Sequence, residues 1–506
     1  MFRKILIANR GEIALRIIRT CKKLRVKTVA VYSEPDLESR HVTSADEAYP
    51  IGAGPPSESY LNIPKLVKAA TKSGVEAVHP GYGFLAENTD FARACEEARL
   101  VFVGPSSKVL GNVANKFESK QFAKDAGVPV VPGANREVQS VEESAAEARR
   151  IGFPVLLKAA FGGGGRGMRI ARTTKELEKV FETARSEANA GFGHPELYVE
   201  KYLQEPRHIE VQILSGPRGR LVHLGERECS LQRRYQKILE ETPSPALDDK
   251  KRRQLISLAL RVIRATRYEN AGTVEFVMSK DGEFYYLETN KRIQVEHLVS
   301  EMVTGVDIVE KQLIMASEHQ LDLSQDEIEF VGSAMNCRIN AEDPSRGFIP
   351  TPGRIDKFVA PGGPGIRVDS ALCDRALVPE YYDSLIAKIA AQGLDRKEVI
   401  ERMKVALGEI IVDGVKTTIP VHQTILQDRK FLEGSYHVQF LDKMLAGWKP
   451  QPATTPEEIA AVFLAIRRTI GPASTLGPQK RERRNRWRCG LEESQLGKQA
   501  LFVEGL

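Results

Sequence analysis

Two runs rich in aromatic and branched residues, 274–278 and 283–289, flank Asp281-Gly282, a strong two-residue hairpin signal. Residues equidistant from such a turn are partners, so Glu275 and Glu288 face each other, with Cβ atoms about 4.5–5.5 Å apart. Like charges placed there repel, and a cation is the usual remedy. The second arm runs on as Glu288, Thr289, Asn290, Lys291, Arg292, Ile293, Gln294, Val295 and Glu296. An extended chain turns alternate side chains to opposite faces, which puts Glu288, Asn290, Arg292, Gln294 and Glu296 on one face. A merely solvated strand face would more readily carry Lys, Thr and Ser. The carboxylates of Glu275 and Glu288 and the amide oxygen of Asn290 are hard ligands, suited to Mg2+ or Mn2+. Magnesium bound by few protein groups takes phosphate oxygens for the rest of its shell. The hairpin therefore reads as a metal–nucleotide platform, with Arg292, Gln294 and Glu296 extending towards a second substrate.

A chain of 506 residues has room for about three to four domains around this platform. Its net charge of +6 suits small anionic substrates and gives no reason to expect nucleic acid. No apolar run approaches the ~20 residues that span a bilayer, and the start is too quickly polar for a secretory signal. Six scattered cysteines with no C-x-x-C pair fit a reducing cytoplasm and argue against zinc.

From the start, 4–8 reads as a buried strand, 9–12 as a turn, 13–24 as an amphipathic helix and 27–32 as a strand. A helix over 63–73 and strands over 76–79 and 100–103 continue the alternation. Alternating strands and helices imply a parallel, doubly wound sheet, whose ligands sit outside the carboxyl ends of its strands. Arg10, Glu12, His79 and Tyr82 are placed to touch one. No G-x-G-x-x-G is present, so a dinucleotide is not expected.

Beyond a helix over 116–127, strands over 151–158 and 169–171 bracket Phe161-Gly162-Gly163-Gly164-Gly165-Arg166-Gly167-Met168. A glycine run between two strands is a hairpin loop whose backbone N–H groups can cradle phosphate. Flexible linkers share that composition; the bracketing strands and Lys158 narrow the reading. Tyr198-Val199-Glu200-Lys201-Tyr202-Leu203 reads as a core strand or as a backbone edge offered to an adenine. Residues 207–212 alternate like a strand. Gln232-Arg233-Arg234-Tyr235-Gln236-Lys237 packs three cations into six residues between acidic stretches, which suits an oxyanion site or a solvated basic face. An exposed helix is expected over 250–267, further helices over 301–317, 397–409 and 456–470, and a mobile basic tail from Gly471.

These pieces, in this order, resemble the biotin carboxylase family of ATP-grasp enzymes from Phe2 to about Leu445. The resemblance rests on Ala8-Asn9-Arg10-Gly11-Glu12-Ile13-Ala14, His79-Pro80-Gly81-Tyr82-Gly83-Phe84-Leu85 and the glycine loop. It rests equally on Glu200-Lys201-Tyr202-Leu203, Arg292-Ile293-Gln294-Val295-Glu296-His297 and Cys337-Arg338-Ile339-Asn340-Ala341-Glu342-Asp343-Pro344. It implies an α/β chain, α+β in parts, with an ATP-grasp fold. The N-terminal doubly wound domain would span 1–114 and the ATP-grasp domain 115–317, with a mobile glycine-rich lid at about 130–204. A β-rich C-terminal domain over 330–446 and a helical, basic extension over 447–506 would follow.

By the same resemblance Lys116 and Lys158 would hold ATP phosphates, with Gly164 and Gly165 closing over them. Glu200, Lys201, Tyr202 and Leu203 would border the adenine and His208 the ribose, with Gln232 and Tyr235 completing the ATP site. Glu275, Glu288 and Asn290 would bind the metal. Lys237, Arg292, Gln294 and Val295 would hold bicarbonate, Glu296 would deprotonate it, and Tyr82 and Arg338 would border biotin. The implied reaction is ATP-dependent carboxylation of biotin through carboxyphosphate, giving N-carboxybiotin, ADP and phosphate.

The chain departs from the family pattern at Tyr235, Thr289, Lys291, Leu298, Ser300 and Phe161, none of them a proposed catalytic group. Lys23 and Pro364 stand where the bacterial enzyme has dimer-interface residues, so a dimer is expected with its own geometry. No Ala-Met-Lys-Met biotin attachment segment and no carboxyltransferase domain is seen, so carrier and transferase are expected as separate chains. That fits a component of an acyl-CoA carboxylase, or the biotin-carboxylating component of a two-subunit pyruvate carboxylase. The competing readings are another ATP-grasp ligase, joining a carboxylate to an amine, and a non-catalytic ATP-binding scaffold.

Overall fold

The computed structural model describes residues 1–448 except 113–115, 135, 160–167 and 193–194. Gly164, Gly165, the helix expected over 456–470 and the basic tail lie outside the described residues, as does the side chain of Lys116.

The apolar run Ile5-Leu6-Ile7 has no exposed surface, because it forms the central strand of a five-stranded parallel sheet. Strand Lys4–Ile7 pairs with Lys27–Ser33 on one side and Ala77–His79 on the other; Glu47–Gly52 and Val101–Phe102 form the edges. Chain order reverses at this central strand, and at such a point the loops splay apart and leave a crevice. The turns after Lys4–Ile7 and Ala77–His79 meet there. Asn9 Nδ2 donates to the carbonyls of Pro80 (2.7 Å) and Tyr82 (2.8 Å). Gly81, at φ +63°, packs against Asn9 so closely that a Cβ would lie 2.9 Å from its amide. Helix Gly11–Lys23 leaves the same crevice and carries Glu12 in its first turn.

A second sheet carries most of the polar chemistry. Its eight strands run in the order Phe284–Asn290, Asn270–Met278, Arg207–Ser215, Leu221–Arg233, Gln236–Thr242, Ser333–Asn340, Leu385–Gly393, Ile366–Ser370, all antiparallel to their neighbours. It continues without a break across the expected boundary between 317 and 330. Register shifts interrupt it between His223 and Glu226 and twice between Glu228 and Gln232. A smaller antiparallel sheet, Arg169–Ala171, Val155–Ala159 and Leu197–Lys201, packs on helices Val141–Ile151 and Thr174–Phe192. The expected glycine loop thus joins two antiparallel strands.

The structure corrects several expectations. Glu275 and Glu288 are partners, but the turn holds three residues, not two. Ser279 N–H donates to the Glu283 carbonyl, and Gly282, at φ +80°, closes the turn as the left-handed residue of a three-residue loop. Met278 therefore pairs with Phe284, one residue off the expected register, and an extra residue at Leu287 restores it. The two deviations cancel at the acidic pair. The strand also ends at Asn290, so 291–296 is irregular rather than extended. The expected helix over 301–317 is two, His297–Thr304 and Ile308–Glu318, separated at Gly305 (φ +70°). Helix Asp249–Thr266 is not simply exposed: Leu255, Leu258, Ala259, Val262 and Ile263 sink one face into the core.

That helix ends on Arg267 at φ +49°, a left-handed cap that glycine adopts without steric cost. Arg267→Gly is expected to stabilise the chain by roughly 0.5–1 kcal/mol, read as a higher denaturation midpoint.

Candidate active site

Across four neighbouring strands the register aligns Glu288, Glu275, Glu210 and Arg227 in one row. Strand alternation adds His208 and Gln212 to the face that Glu210 occupies, and all three are buried. Three acids in a row need cations. Arg227, fully buried, donates from Nε to Glu210 Oε1 (2.6 Å) and from Nη1 to Gln212 Oε1 (2.6 Å). Lys237 reaches in from strand Gln236–Thr242 and donates to Glu210 Oε2 (2.5 Å), Glu275 Oε1 (2.9 Å) and Glu296 Oε1 (2.7 Å). Burial disfavours the ammonium, but the three carboxylates outweigh it and hold Lys237 well above the ordinary lysine value.

Glu296 is gripped from both sides. Its Oε1 takes Lys237, and its Oε2 takes Arg338 Nη2 at 2.9 Å. Arg338 is anchored in turn by Nε on Glu240 Oε1 (2.6 Å), and Asn336 Nδ2 donates to the other Glu240 oxygen (2.7 Å). Burial alone would raise Glu296, yet Lys237, Arg338 and Arg227 hold it well below the ordinary glutamate range. Glu275 is likewise held low against burial, by Lys237 and His208. Both carboxyls are depressed in the folded chain, so their stability is present above the unfolded value of about 4.3 and lost as pH falls through their folded values. Thermal stability should therefore fall steeply in acid below about pH 4.3, and Glu296→Gln should make that slope shallower in a melting-temperature series.

Of these groups His208, Lys237, Glu275, Glu296 and Arg338 line a cleft of about 680 Å³ between the two sheets, while Glu210, Arg227 and Glu240 are fully buried. Glu288, Asn290, Arg292, Gln294 and Glu296 all face it and Ile293 is fully buried, so the alternation of the run continues past the end of the strand as far as Gln294, after which Val295 and Glu296 both line the cleft. Tyr82, Lys158, Glu200, Lys201, Tyr202, Leu203, His208, Gln232, Tyr235, Lys237, Glu275, Val295 and Arg338 line it too. His79 does not. It is buried, accepts the Gly81 N–H at Nδ1 (3.1 Å), and burial lowers it to about 3. Lys201 lines the cleft while its ammonium donates to the carbonyls of Gly152 (2.9 Å) and Phe153 (3.0 Å). Arg234 and Tyr235, both at positive φ, form the two-residue turn that sends Lys237 back into the cleft. The basic stretch is thus a hairpin tip.

The metal ligands expected from the sequence fit one another. Glu275 and Glu288 are direct partners, and Asn290 Nδ2 donates to Glu275 Oε1 at 2.8 Å, which fixes the Asn290 carbonyl oxygen beside them. A hard divalent ion suits this oxygen set.

Several functional partners carry no motif in the sequence. Glu87, from the turn between strand Ala77–His79 and helix Thr89–Glu97, accepts the Lys291 N–H (2.9 Å) and Arg292 Nε (2.9 Å) and so fixes the start of the irregular run. Lys120 joins Lys158 in pairing with Glu200, the latter at 2.5 Å, and both ammonium groups lie over the Tyr198 ring. For others, such as Glu210 and Arg227, the strands are already rich in polar residues (Arg207, His208 and Gln212 beside Glu210; Glu226 and Glu228 beside Arg227), so no local signal marks them.

A small antiparallel sheet bearing Lys158, which with Lys120 pairs with Glu200, a paired-acid hairpin and a doubly wound N-terminal sheet around one cleft define an ATP-dependent ligase of the ATP-grasp class. Family models match along the chain: biotin carboxylase, N-terminal domain, at residues 1–110; carbamoyl-phosphate synthase L chain, ATP binding domain, at 115–324; and biotin carboxylase C-terminal domain at 336–443. Biotin carboxylase 1 of Bacillus subtilis is 49% identical over 443 residues, 87% of this chain and 98% of its own. The biotin carboxylase of Pseudomonas aeruginosa is 49% identical over 446 residues, 88% of this chain and 99% of its own. The Hydrogenobacter thermophilus 2-oxoglutarate carboxylase biotin carboxylase domain dimer was solved with MgADP, ADP and bicarbonate. It superposes with a TM-score of 0.86 at 46% identity, covering 89% of this chain and 99% of that one. The chain belongs to the biotin carboxylase family.

Proposed function

We propose that this chain uses ATP and bicarbonate to carboxylate biotin on a carrier protein, as one component of an acyl-CoA or pyruvate carboxylase. One observation carries the reading: a buried carboxylate, Glu296, held between Lys237 and Arg338 in the cleft that also receives the lid lysines. Bicarbonate is a poor nucleophile and its charge is repelled by phosphate. Lys237 and Arg292 offset that charge, Gln294 and Val295 orient the anion, and Glu296 takes its proton. Lys158, with Lys116 and the Gly164-Gly165 loop, holds the phosphates for in-line transfer of the γ-phosphoryl group to bicarbonate oxygen. Glu200, Lys201, Tyr202 and Leu203 border the adenine, His208 the ribose, and Gln232 and Tyr235 complete that end.

Glu275, Glu288 and Asn290 would hold Mg2+ or Mn2+, which when bound neutralises phosphate charge. The carboxyphosphate formed breaks down to CO2 and phosphate, and the phosphate takes the ureido proton of biotin. Arg338 then stabilises the negative ureido oxygen, with Tyr82 beside it. As Arg338 turns to biotin, Glu296 loses one of its two cations and becomes more basic.

The domain division that goes with this reading is 1–114, 115–317 with its lid at about 130–204, and 330–446. Carrier and carboxyltransferase components are its partners and a homodimer its assembly. Lys23, which stands where the bacterial enzyme has a dimer-interface residue, is paired with Glu310 at 2.5 Å within the chain. Placement in the cytoplasm accords with five described cysteines, all free thiols. Among the described residues no helix is long and apolar enough to cross a membrane.

The test is ADP release by the purified chain with Mg2+, with and without bicarbonate and free biotin. Turnover that needs bicarbonate and rises with biotin supports the function. Turnover indifferent to bicarbonate, or requiring an amine and a carboxylate instead, overturns it.

A further inference from the structure

Lys388 has no part in the roles above, yet it is a lone lysine in an apolar strand, Leu385–Gly393, and fully buried. In register it faces Arg338 on one side and Asp369 on the other. Two cations directly opposed across antiparallel strands repel, and burying an ammonium is unfavourable unless it is paired. A methionine would fill the same space with neither cost.

The partners of Lys388 say what the charge is for. Its ammonium donates to the Val295 carbonyl at 3.0 Å, lies 3.1 Å from Glu12 Oε1 and 4.0 Å from Asp369 Oδ2. Asp369 has its own cation in Arg367, at 2.8 Å. Arg338, on the next strand, holds the Glu296 carboxylate. Adjacent strands thus grip two consecutive residues, Val295 by its backbone and Glu296 by its side chain. Glu12 Oε1 also accepts the Tyr82 hydroxyl, while its Oε2 is buried with no hydrogen-bond partner. Tyr82, Glu12, Lys388 and the Val295 carbonyl therefore form one line of contacts between the two ends of the cleft.

We propose that Lys388 is a positioning residue that couples the biotin end of the cleft to the bicarbonate end, tying the Val295 carbonyl through Glu12 to Tyr82. This rests on the biotin carboxylase reading, in which Tyr82 borders biotin and Val295 borders bicarbonate. A ligand that settles against Tyr82 stiffens Glu12 and Lys388, and with them the backbone that presents bicarbonate to Glu296. Misplacement by about 1 Å suffices to change a rate by about 10²-fold.

The test measures ADP release against bicarbonate concentration, with and without free biotin, in the full chain and in Lys388→Met, Lys388→Arg, Glu12→Gln and the double Glu12→Gln/Lys388→Met. In Lys388→Met the stimulation by biotin should fall by at least about tenfold and the bicarbonate KM should rise by a similar factor, with ADP affinity within about twofold of wild type. Lys388→Arg should recover part of both. Glu12→Gln should lose stimulation with a smaller rise in KM. The double variant should be no worse than Lys388→Met, because both act in one line of contacts.

If Lys388→Met does not fold, the double variant, which removes both charges, decides. Wild-type stimulation and KM in Lys388→Met or the double variant would overturn the coupling, as would a uniform fall in kcat accompanied by lost ADP affinity. A wild-type chain with bicarbonate-dependent turnover but no biotin stimulation overturns the coupling alone. A wild-type chain with no bicarbonate-dependent turnover overturns the function itself and the coupling with it.

Discussion

Replacing Glu296 by Gln is expected to cut bicarbonate-dependent ADP release by about 10²–10⁴-fold, the range lost with a positioned general base. The amide keeps the shape, but its single oxygen can accept from Lys237 or from Arg338 and leaves its NH2 against the other, and it cannot take the bicarbonate proton. ADP affinity should stay near wild type, because no adenine- or phosphate-facing group is altered. Single-turnover kinetics separate the chemical step from binding. A variant that keeps more than about a tenth of wild-type turnover would assign the base elsewhere.

The largest stability effect is expected for Lys237→Met. Lys237 serves Glu210, Glu275 and Glu296 at once, and its side chain is 11% exposed. Removing it leaves three buried carboxylates with only Arg227, Arg338 and His208 close by. Loss of one partner from a buried ionic cluster costs about 3–5 kcal/mol. The carboxyls respond by rising towards protonation, so the variant should recover part of its stability as pH is lowered from 8 to about 5, a range over which Glu275 and Glu296 leave the wild type unchanged. Denaturation midpoints across that pH range test this. Adding Glu296→Gln should restore part of the loss, since one carboxylate fewer is stranded.

Much of the site is legible in the sequence because it follows local rules. Turn chemistry matches Glu275 to Glu288, and the match survives a wrong turn length only because Leu287 bulges out by the same single residue. The face shared by Glu288, Asn290, Arg292, Gln294 and Glu296 comes from alternation, which persists in an irregular segment because Glu87 and Lys237 pin it from either side. Such pins are not legible. Glu87 comes from a turn some two hundred residues earlier, and nothing around it in sequence marks it. Lys388 does carry a mark, a charge inside an apolar strand, whereas Arg227 and Glu210 lie among other polar residues and carry none. Their pairing depends on strand order, which no local pattern specifies. His79 is misplaced by the sequence pattern for the converse reason, since a residue at a strand end can turn into the core as easily as towards a ligand.

The strand order of the large sheet carries one more consequence. Lys237 and Glu275 are three strands apart, which in a flat sheet is roughly 14 Å at the usual 4.8 Å spacing. Their side chains nonetheless touch at 2.9 Å. Side chains standing upright on a flat sheet would not meet across that distance, so a cupped sheet accounts for the contact, and the shifts in register at His223–Glu226 and Glu228–Gln232 lie in the strands between, where bulges bend a sheet. Curvature is then a determinant of activity in its own right. Deleting a bulged residue would flatten the cup and draw Glu275 and Glu288 away from Lys237, leaving each side chain present but out of reach of the next.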